Sequence, residues 1–449
     1  MMKTVVIIGT LDTKGEQLGF LKHELEKLGK RVLLVDTGTR DGATLTANIT
    51  NDQVATAAGS SMEEIRGIKD RGKIATLIIE GSTKIVQRLF SEGELDGIMA
   101  LGGASAATVG SAVMKALPFG VPKLILSSAA GMQAYAGKWF GTSDIMMMNT
   151  IVDIVGLNEL VKNVLYRAAG AMSGMIEMSS GSLSALLGKR GKAVVAMTED
   201  GSSERCASRV RRRLEERGYA VVNFHAQGIS DRAMEDLIEQ AFIDAVVDIC
   251  LVGVSDELFD GNRPGGPRRL EMAGMRGIPQ VLAPCGLNMT GAGPTRKHYE
   301  KYASRPRMLK LDNLRMGTRL NEEELLLTAR TLANKLNKAK GRVKFYIPKK
   351  GFSGFDPSGG VLYDPKEDMI FADELKKLVK KEVEIIEVEA NLEEPLFAEA
   401  LVEGFEELME KRWGNCDIEK VSIAAIKRCL SKPLKSYYLK IIPSVFPTR

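Results

Sequence analysis

Short runs of uninterrupted apolar residues alternate with amphipathic stretches along most of this chain. In the first part the runs fall at Thr4–Ile8, Val32–Asp36, Gly97–Leu101 and Lys123–Ser127. Between them, helical spacing covers Glu16–Leu28, Met62–Arg71, Lys73–Ser91 and Ala106–Leu117. Strands that are apolar throughout, rather than at every second position, predict a parallel sheet covered on both faces. Ser143–Ile154 is apolar and Met-rich and reads as a strand or a buried segment, and a helix follows over Asn158–Met172. A second series starts at Ala193, with strands at Ala193–Met197, Ala220–Phe224, Ala245–Ile249, Pro279–Ala283, Met308–Leu311, Val343–Ile347 and Val383–Val388. Helices such as Glu204–Arg217 and Glu322–Leu336 lie between those strands. The predicted fold class is therefore α/β, with two doubly wound, Rossmann-like domains built on mostly parallel sheets.

Small residues crowd the stretch 173–192, which marks a break near Gly188–Lys192. The predicted domains are 1–188 and 192–410, followed by a basic tail over 411–449. Both halves open alike. Val5–Ile8 leads into Gly-Thr-Leu-Asp, and Val194–Met197 into Thr-Glu-Asp-Gly. Thr10 stands 22 residues before Val32, and Thr198 stands 23 before Val221. Duplication explains this, and so does the coincidence of two ordinary βαβ openings.

The densest chemistry lies at Gly9–Gly15 (GTLDTKG), directly after the first apolar run. A strand, a glycine-containing turn and a helix N-terminus make an anion site, because the first helical N–H groups lack internal partners. Lys14 supplies a cation, Thr10 and Thr13 supply hydroxyls, and Asp12 can hold Mg²⁺ directly or through water. The turn is neither a Walker A loop nor GxGxxG, and the plainer reading is a βα turn with a capped helix. A second such turn is Leu101–Thr108 (LGGASAAT), in which Gly102, Gly103, Ser105 and Thr108 are candidate phosphate contacts. Both turns are expected on the carboxyl edge of the sheet, where open α/β sheets bind ligands. A third cluster is Gly141-Thr142-Ser143-Asp144, with Thr142 and Ser143 as ligand contacts and Asp144 as a metal ligand, or simply a capping sequence.

In the second half His225 ends a predicted strand and Asp256 follows the next. They are the candidate catalytic pair for a second substrate, although a lone histidine is more often structural. The Gly261–Arg268 loop (GNRPGGPR) reads as a lid, a phosphate clamp or a plain surface loop. Cys285 has no local base and is a poor nucleophile. No triad order, nucleophile elbow, HExxH or paired-carboxylate signature stands out. The chemistry favours nucleotide or phosphometabolite binding over acyl transfer.

Composition narrows the class only slightly. Of 449 residues, 44% are hydrophobic and 27% charged, as in ordinary globular proteins. A net charge of +5 does not point to nucleic acid. No apolar run is long enough to span a bilayer, and the start Met-Met-Lys-Thr leads straight into a strand rather than a secretory signal. Five cysteines, odd in number and without metal-ligand spacing, fit a reducing cytoplasm.

Several stretches then coincide with one family. Gly9–Glu16 (GTLDTKGE), Ala116–Lys123 (ALPFGVPK), Gly141–Met147 (GTSDIMM), Ile151–Asn158 (IVDIVGLN), Asn223–Ile238 (NFHAQGISDRAMEDLI) and Gly277–Pro284 (GIPQVLAP) run in order across the chain. On these the chain resembles the uncharacterised protein family 0261, which includes a plant virus-resistance protein with an ATP-binding domain. The resemblance implies two α/β domains, ATP with Mg²⁺ as ligand, and a homodimer. It implies no established reaction. Two departures stand out: Ala104-Ser105-Ala106 where the family is richer in glycine, and Cys250–Ser255 where relatives carry a threonine-rich strand end. Three readings follow: phosphoryl or nucleotidyl chemistry on a small substrate, a nucleotide-responsive dimeric binding module without turnover, and a metabolic enzyme acting on a small carboxylate.

Overall fold

The computed structural model describes residues 2–43, 45–179, 192–293, 296–313 and 315–413. The expected domain break at 188–192 and nearly all of the basic tail lie outside them, apart from Lys192 and the backbone of 411–413. The described residues form two compact units, one within Met1–Leu186 and one within Leu187–Lys432.

The first unit holds a parallel sheet of β1 (Thr4–Gly9), β2 (Arg31–Asp36), β3 (Gly97–Gly102), β4 (Lys123–Ser127) and β5 (Met146–Asn149). Its spatial order is β2-β1-β3-β4-β5. The pleat sends alternate residues of β1 to opposite faces. Val6 and Ile8 enter one core with Val86, Ala107 and Trp139, while Val5 and Ile7 enter the other with Leu18, Leu165 and Met172. The helix α1 (Leu11–Lys27) covers the second face together with Glu159–Met178. The first face is covered by α2 (Asn51–Ala57), α3 (Met62–Gly67), α4 (Arg71–Ser91), α5 (Ala104–Met114) and α6 (Gln133–Phe140). The helix Glu159–Met178 is α7. Helix α1 opens at Leu11 rather than Glu16, because the turn residues themselves form its first turn before a kink at Lys14 (φ −129°, ψ 17°). Ser143–Ile154 resolves into the short edge strand β5 and a following loop.

The second unit repeats this plan. Strands β6 (Val194–Glu199), β7 (Ala220–His225), β8 (Ala245–Cys250), β9 (Gln280–Cys285), β13 (Val343–Pro348) and β14 (Val383–Val388) are ordered β14-β13-β9-β8-β6-β7. Again the first strand lies between the second and the third, and every pairing is parallel. Helices α8 (Glu204–Glu216) and Pro395–Trp413 share one core with Val195 and Met197. The opposite face carries α9 (Ile229–Glu239), α10 (Val252–Leu258), α11 (Met272–Arg276), Glu322–Leu336 and Pro365–Leu378. The stretch predicted as a strand at Met308–Leu311 does not join the parallel sheet. It forms β11 (Met308–Lys310), in a small antiparallel sheet with β10 (Met289–Ala292) and β12 (Met316–Arg319). The stretches Arg296–Tyr302, Glu322–Leu336, Pro365–Leu378 and Pro395–Trp413 are α12 to α15. Among the described residues no helix is long and apolar enough to cross a membrane.

Buried charge ties the second unit together. Arg319 donates to Asp368 at 2.6 Å and to Glu367 at 2.8 Å. Asn288 Nδ2 bridges Asp368 and Asp356. Burial outweighs these partners and pushes the Asp368 carboxyl up to about 7, with the Asp356 charge adding to the rise. An acid whose folded pKa is raised stabilises the fold below its unfolded pKa, near 4, and loses that contribution as pH climbs through 7. Urea unfolding should therefore show wild type losing stability relative to Asp368→Asn between pH 5 and pH 7. The expected difference is about 1.4 kcal/mol per pH unit at most. A parallel pH dependence in both proteins would remove Asp368 as its source.

Close packing holds α5 against β3. A Cβ on Gly110 would lie 2.4 Å from the Ala100 Cβ on β3, so this glycine lets helix and strand touch. Gly170 on α7 has open space around it. Gly110→Ala should cost about 1–3 kcal/mol through overpacking, while Gly170→Ala should stabilise by about 0.5–1 kcal/mol. Thermal unfolding of the two variants checks the contrast.

Candidate functional site

The strand order creates a switch point between β1 and β3. Register pairs Ile8 with Ala100, so Thr10 and Gly102 leave the sheet side by side. Neighbouring strands are about 4.8 Å apart, yet the following helices turn to opposite faces. Helix α1 joins the core of Val5 and Ile7, and α5 joins the core of Val6 and Ile8. The crevice between diverging connections is where such sheets bind ligands. Gly9, Thr10, Asp12, Thr13 and Lys14 from one connection, and Gly102, Gly103 and Ser105 from the other, all meet this edge.

The two helix starts differ. The Leu11 N–H of α1 already donates to Asp36 Oδ1 at 3.1 Å, and Lys14 N–H returns to Thr10 O. At α5 the first helical bond runs from Ala107 N to Gly103 O, and Gly103 makes no side-chain cap. The N–H groups of Ala104, Ser105 and Ala106 donate to no acceptor among the described residues. Gly102 makes the turn possible: its φ of +147° is open to glycine, and a Cβ there would lie 2.6 Å from the Ala106 Cβ. Ala104 and Ser105 are exposed, so the Ala104 methyl does not wall off the helix start.

Two carboxylates stand on the β2 side of the same edge. Asp12 Oδ2 accepts from Arg40 N at 3.0 Å, while Asp12 Oδ1 is buried with no hydrogen-bond partner among the described residues. Asp36, at the end of β2, accepts from Leu11 N and Gly38 N. A Cβ at Gly38 would stand 2.9 Å from Asp12 Oδ1 and 3.0 Å from Asp36 Oδ1, so the two carboxylates flank one glycine. Burial raises the Asp36 pKa, two backbone N–H donors oppose it, and the Asp12 charge adds to the rise. A cation between them would relieve both the orphaned oxygen and the like-charge contact, so the donor set fits Mg²⁺.

The remaining side chains are partly committed. Thr10 and Thr13 hydroxyls pair at 2.7 Å, which spends one of their two protons. Lys14 Nζ donates to Ile154 O at 2.5 Å, and Gln17 Nε2 to Gly156 O at 3.0 Å, which pins the 150–157 loop to α1. Thr108 lies one turn into α5, where Oγ1 donates to Ala104 O and accepts from Trp139 Nε1. Its hydroxyl serves the scaffold, not the helix start.

Thr142, Ser143 and Asp144 do not join this edge. Asp144 accepts from Lys123 Nζ at 2.6 Å and from Gly120 N at 2.7 Å, and Lys123 is the first residue of β4. Gly141 sits against Lys115, the C-cap of α5. The cluster therefore belongs to the amino edge, at the far end of the strands, and its carboxylate neutralises a buried lysine whose pKa burial pulls down. Asp144 cannot share a metal with Asp12 across that length of sheet.

The second unit has the same switch point, but protein groups fill it. At α8 a carboxylate from the chain itself takes the helix start: Glu393 accepts from Arg205 N and Cys206 N at 3.1 and 3.2 Å. Asp256 is not at a strand end. It lies within α10, fully buried, and accepts from Thr290 Oγ1, Gly291 N and Arg263 N at 2.8–3.0 Å. His225 ends the outermost strand β7 and is exposed. Among the described residues no hydrogen bond or ion pair joins His225 to Asp256. The Gly261–Arg268 loop is no free clamp either. Arg263 binds Asp200 at 2.9 Å and Asp256 at 3.4 Å, and Arg268 binds Glu239 at 2.6 Å. The adjacent Arg269 is fully buried among Asp231, Asp248 and Glu235.

Sequence spacing missed one constellation. Cys250 and Cys285, 35 positions apart, are register partners across a bulge between β8 and β9. A carboxylate oxygen of Asp200 and the two sulfurs all lie within 4.8 Å of one another. The only local signal was that all three residues end or follow predicted strands.

A family model described as the uncharacterised protein family (UPF0261) N-terminal domain matches residues 3–181, and one for its C-terminal domain matches 192–409. A UPF0261 protein of Clostridium tetani is 36% identical over 412 residues, covering 92% of this chain and 100% of its own length. The ToMV resistance protein Tm-1(GCR237) of Solanum lycopersicum is 30% identical over 427 residues, covering 91% of this chain and 56% of its own. A solved UDP-GlcNAc 2-epimerase of Methanocaldococcus jannaschii, in complex with UDP-GlcNAc and UDP, aligns with 84% of this chain and all of its own. Its identity is 10% and its TM-score 0.22, too low to carry an argument. By two consecutive domain models and by relatives aligned over most of its length, this chain belongs to the uncharacterised protein family UPF0261.

Proposed function

We propose that the N-terminal unit binds a nucleotide polyphosphate, ATP with Mg²⁺, in the crevice between β1 and β3. The observation that carries the reading is the uncapped start of α5, with three backbone N–H groups lacking acceptors beside Gly102 and Gly103. A helix N-terminus bears roughly half a positive charge, and oriented N–H donors suit phosphate oxygens. Ser105 is exposed at the same helix start and adds a hydroxyl.

Phosphates next to Asp12 and Asp36 would repel those carboxylates, so the reading requires a cation. Asp12 Oδ1, which has no other partner among the described residues, supplies the ligand for Mg²⁺, which usually keeps one or two protein carboxylates and fills the rest with phosphate and water. The ion would bridge protein and phosphate and neutralise charge. Lys14 spends one of its three ammonium protons on Ile154 O and offers the others. The Thr10–Thr13 pair offers the one hydroxyl proton it has not spent. These groups bind and orient, and they supply no nucleophile of their own. The reading is thus a nucleotide-responsive unit, with a homodimer as its proposed assembly.

Titration calorimetry with ATP should give one site per chain whose affinity rises when Mg²⁺ is present. Asp12→Asn should lose that Mg²⁺-dependent gain, about tenfold or 1.4 kcal/mol. Equal affinities with and without Mg²⁺ would remove the metal from the reading, and absence of ATP binding would remove the nucleotide. Stabilisation by small carboxylates but not by nucleotides would favour a carboxylate metabolite. Phosphate release above the Asp12→Asn background would add turnover to binding.

A further inference from the structure

The buried trio at the second switch point has no role in the reading above. Asp200 follows β6, Cys250 ends β8 and Cys285 ends β9, so three adjacent strands deliver one oxygen and two sulfurs to the carboxyl edge. All three residues are buried, and both cysteines are free thiols. A hydroxyl stands beside them: Ser202 Oγ is 3.1 Å from Cys285 Sγ and 2.5 Å from Asp200 Oδ1.

From this juxtaposition we propose that Asp200, Cys250 and Cys285, with a water in the fourth position, bind a soft divalent cation of the zinc class. Two sulfurs and one carboxylate oxygen select zinc over magnesium or calcium, which prefer all-oxygen shells. Tetrahedral zinc, with bonds near 2.0–2.3 Å, needs donors about 3.5–4 Å apart. The 4.8 Å limit of the trio therefore asks for a small contraction, not a rearrangement.

Charge balance supports the exchange. Without metal, the pocket holds two free cysteines and the Asp200 carboxylate paired with Arg263 at 2.9 Å. One divalent ion that replaces two S–H protons leaves the net charge of the pocket unchanged, so no uncompensated charge is buried. Arg263, which also binds Asp256, occupies only Oδ2 of Asp200. Oxygen Oδ1 accepts from Ser202 N and Oγ, which aim the carboxylate. These are the supporting contacts a ligand carboxylate usually has.

Cadmium is the probe, because thiolate coordination gives it an ultraviolet charge-transfer band. The full chain carrying Cys416→Ser and Cys429→Ser, reduced and stripped of metal, is titrated with Cd²⁺ both in its native state and during refolding. One equivalent should bind, with the band of two thiolates and release of two protons per ion, and Zn²⁺ should displace it. Cys250→Ser or Cys285→Ser should abolish the two-thiolate band. Cys206→Ser should keep it, and Ser202→Ala should weaken binding about tenfold. No band and no proton release in the parent protein would overturn the site whatever the variants do. So would a band that survives in the Cys250→Ser/Cys285→Ser double variant. An intact mass lacking two hydrogens after aerobic isolation, with no metal uptake after reduction, would show a disulfide pair instead.

Discussion

Parallel hydrogen bonding on both flanks of the first strand is the constraint on which each unit depends. With β1 between β2 and β3, and β6 between β7 and β8, the chain must cross back over the sheet after every strand. Right-handed crossovers then send the connections from the two central strands to opposite faces. The pleat makes this possible, because a fully apolar strand feeds two cores at once, as Val5 and Val6 do from consecutive positions. What results is a crevice at the carboxyl edge whose floor is two strand ends and whose walls are two helix starts. Sheet topology alone creates it, before any side chain is chosen.

The two units share more than strand order. A helix start favours an anion, and Glu393 closes onto the first N–H groups of α8 much as Asp36 meets the Leu11 N–H of α1. The helices after the third strand of each unit, α5 and α10, both start without a side-chain cap. Buried arginines set the units apart. The second unit buries Arg263, Arg269 and Arg319 against carboxylates, a costly arrangement unless every charge has a partner.

Much of this was legible in the sequence, for a physical reason. Buried parallel strands read as apolar runs, so ten of the strand positions could be placed within a residue or two from composition alone. The Gly9–Gly15 and Leu101–Thr108 turns could be assigned to one edge because each follows such a run and precedes a helix. The failures have causes too. Helix α1 starts five residues before Glu16, because Asp36, 25 positions away from Leu11, supplies the acceptor that its first N–H requires. Asp144 looked like a metal ligand because it is acidic and near hydroxyls, but its partner Lys123 lies at the wrong end of a strand. Met308–Leu311 was apolar enough for a strand, yet strand direction and sheet membership are tertiary facts.

Local spacing also explains why Asp200, Cys250 and Cys285 were invisible. Metal motifs readable from sequence place ligands on one turn or one helix, a few residues apart. Here the ligating geometry comes from lateral strand order, and a bulge between Asp248 and Cys250 shifts the register so that Cys250 meets Cys285 rather than the proline before it. A single regular register would have turned that sulfur toward a residue with no donor. The same reasoning separates the two edges of the molecule by kind of guest. Backbone N–H groups at α5 and hard carboxylate oxygens beside β2 share the carboxyl edge of the first unit, the donor types on which the proposed phosphate and Mg²⁺ reading rests. Thiols and one oriented carboxylate meet at the second, which suits a softer cation. Sheet order decides where ligands are received, and the residue types delivered by the strand ends decide what is received.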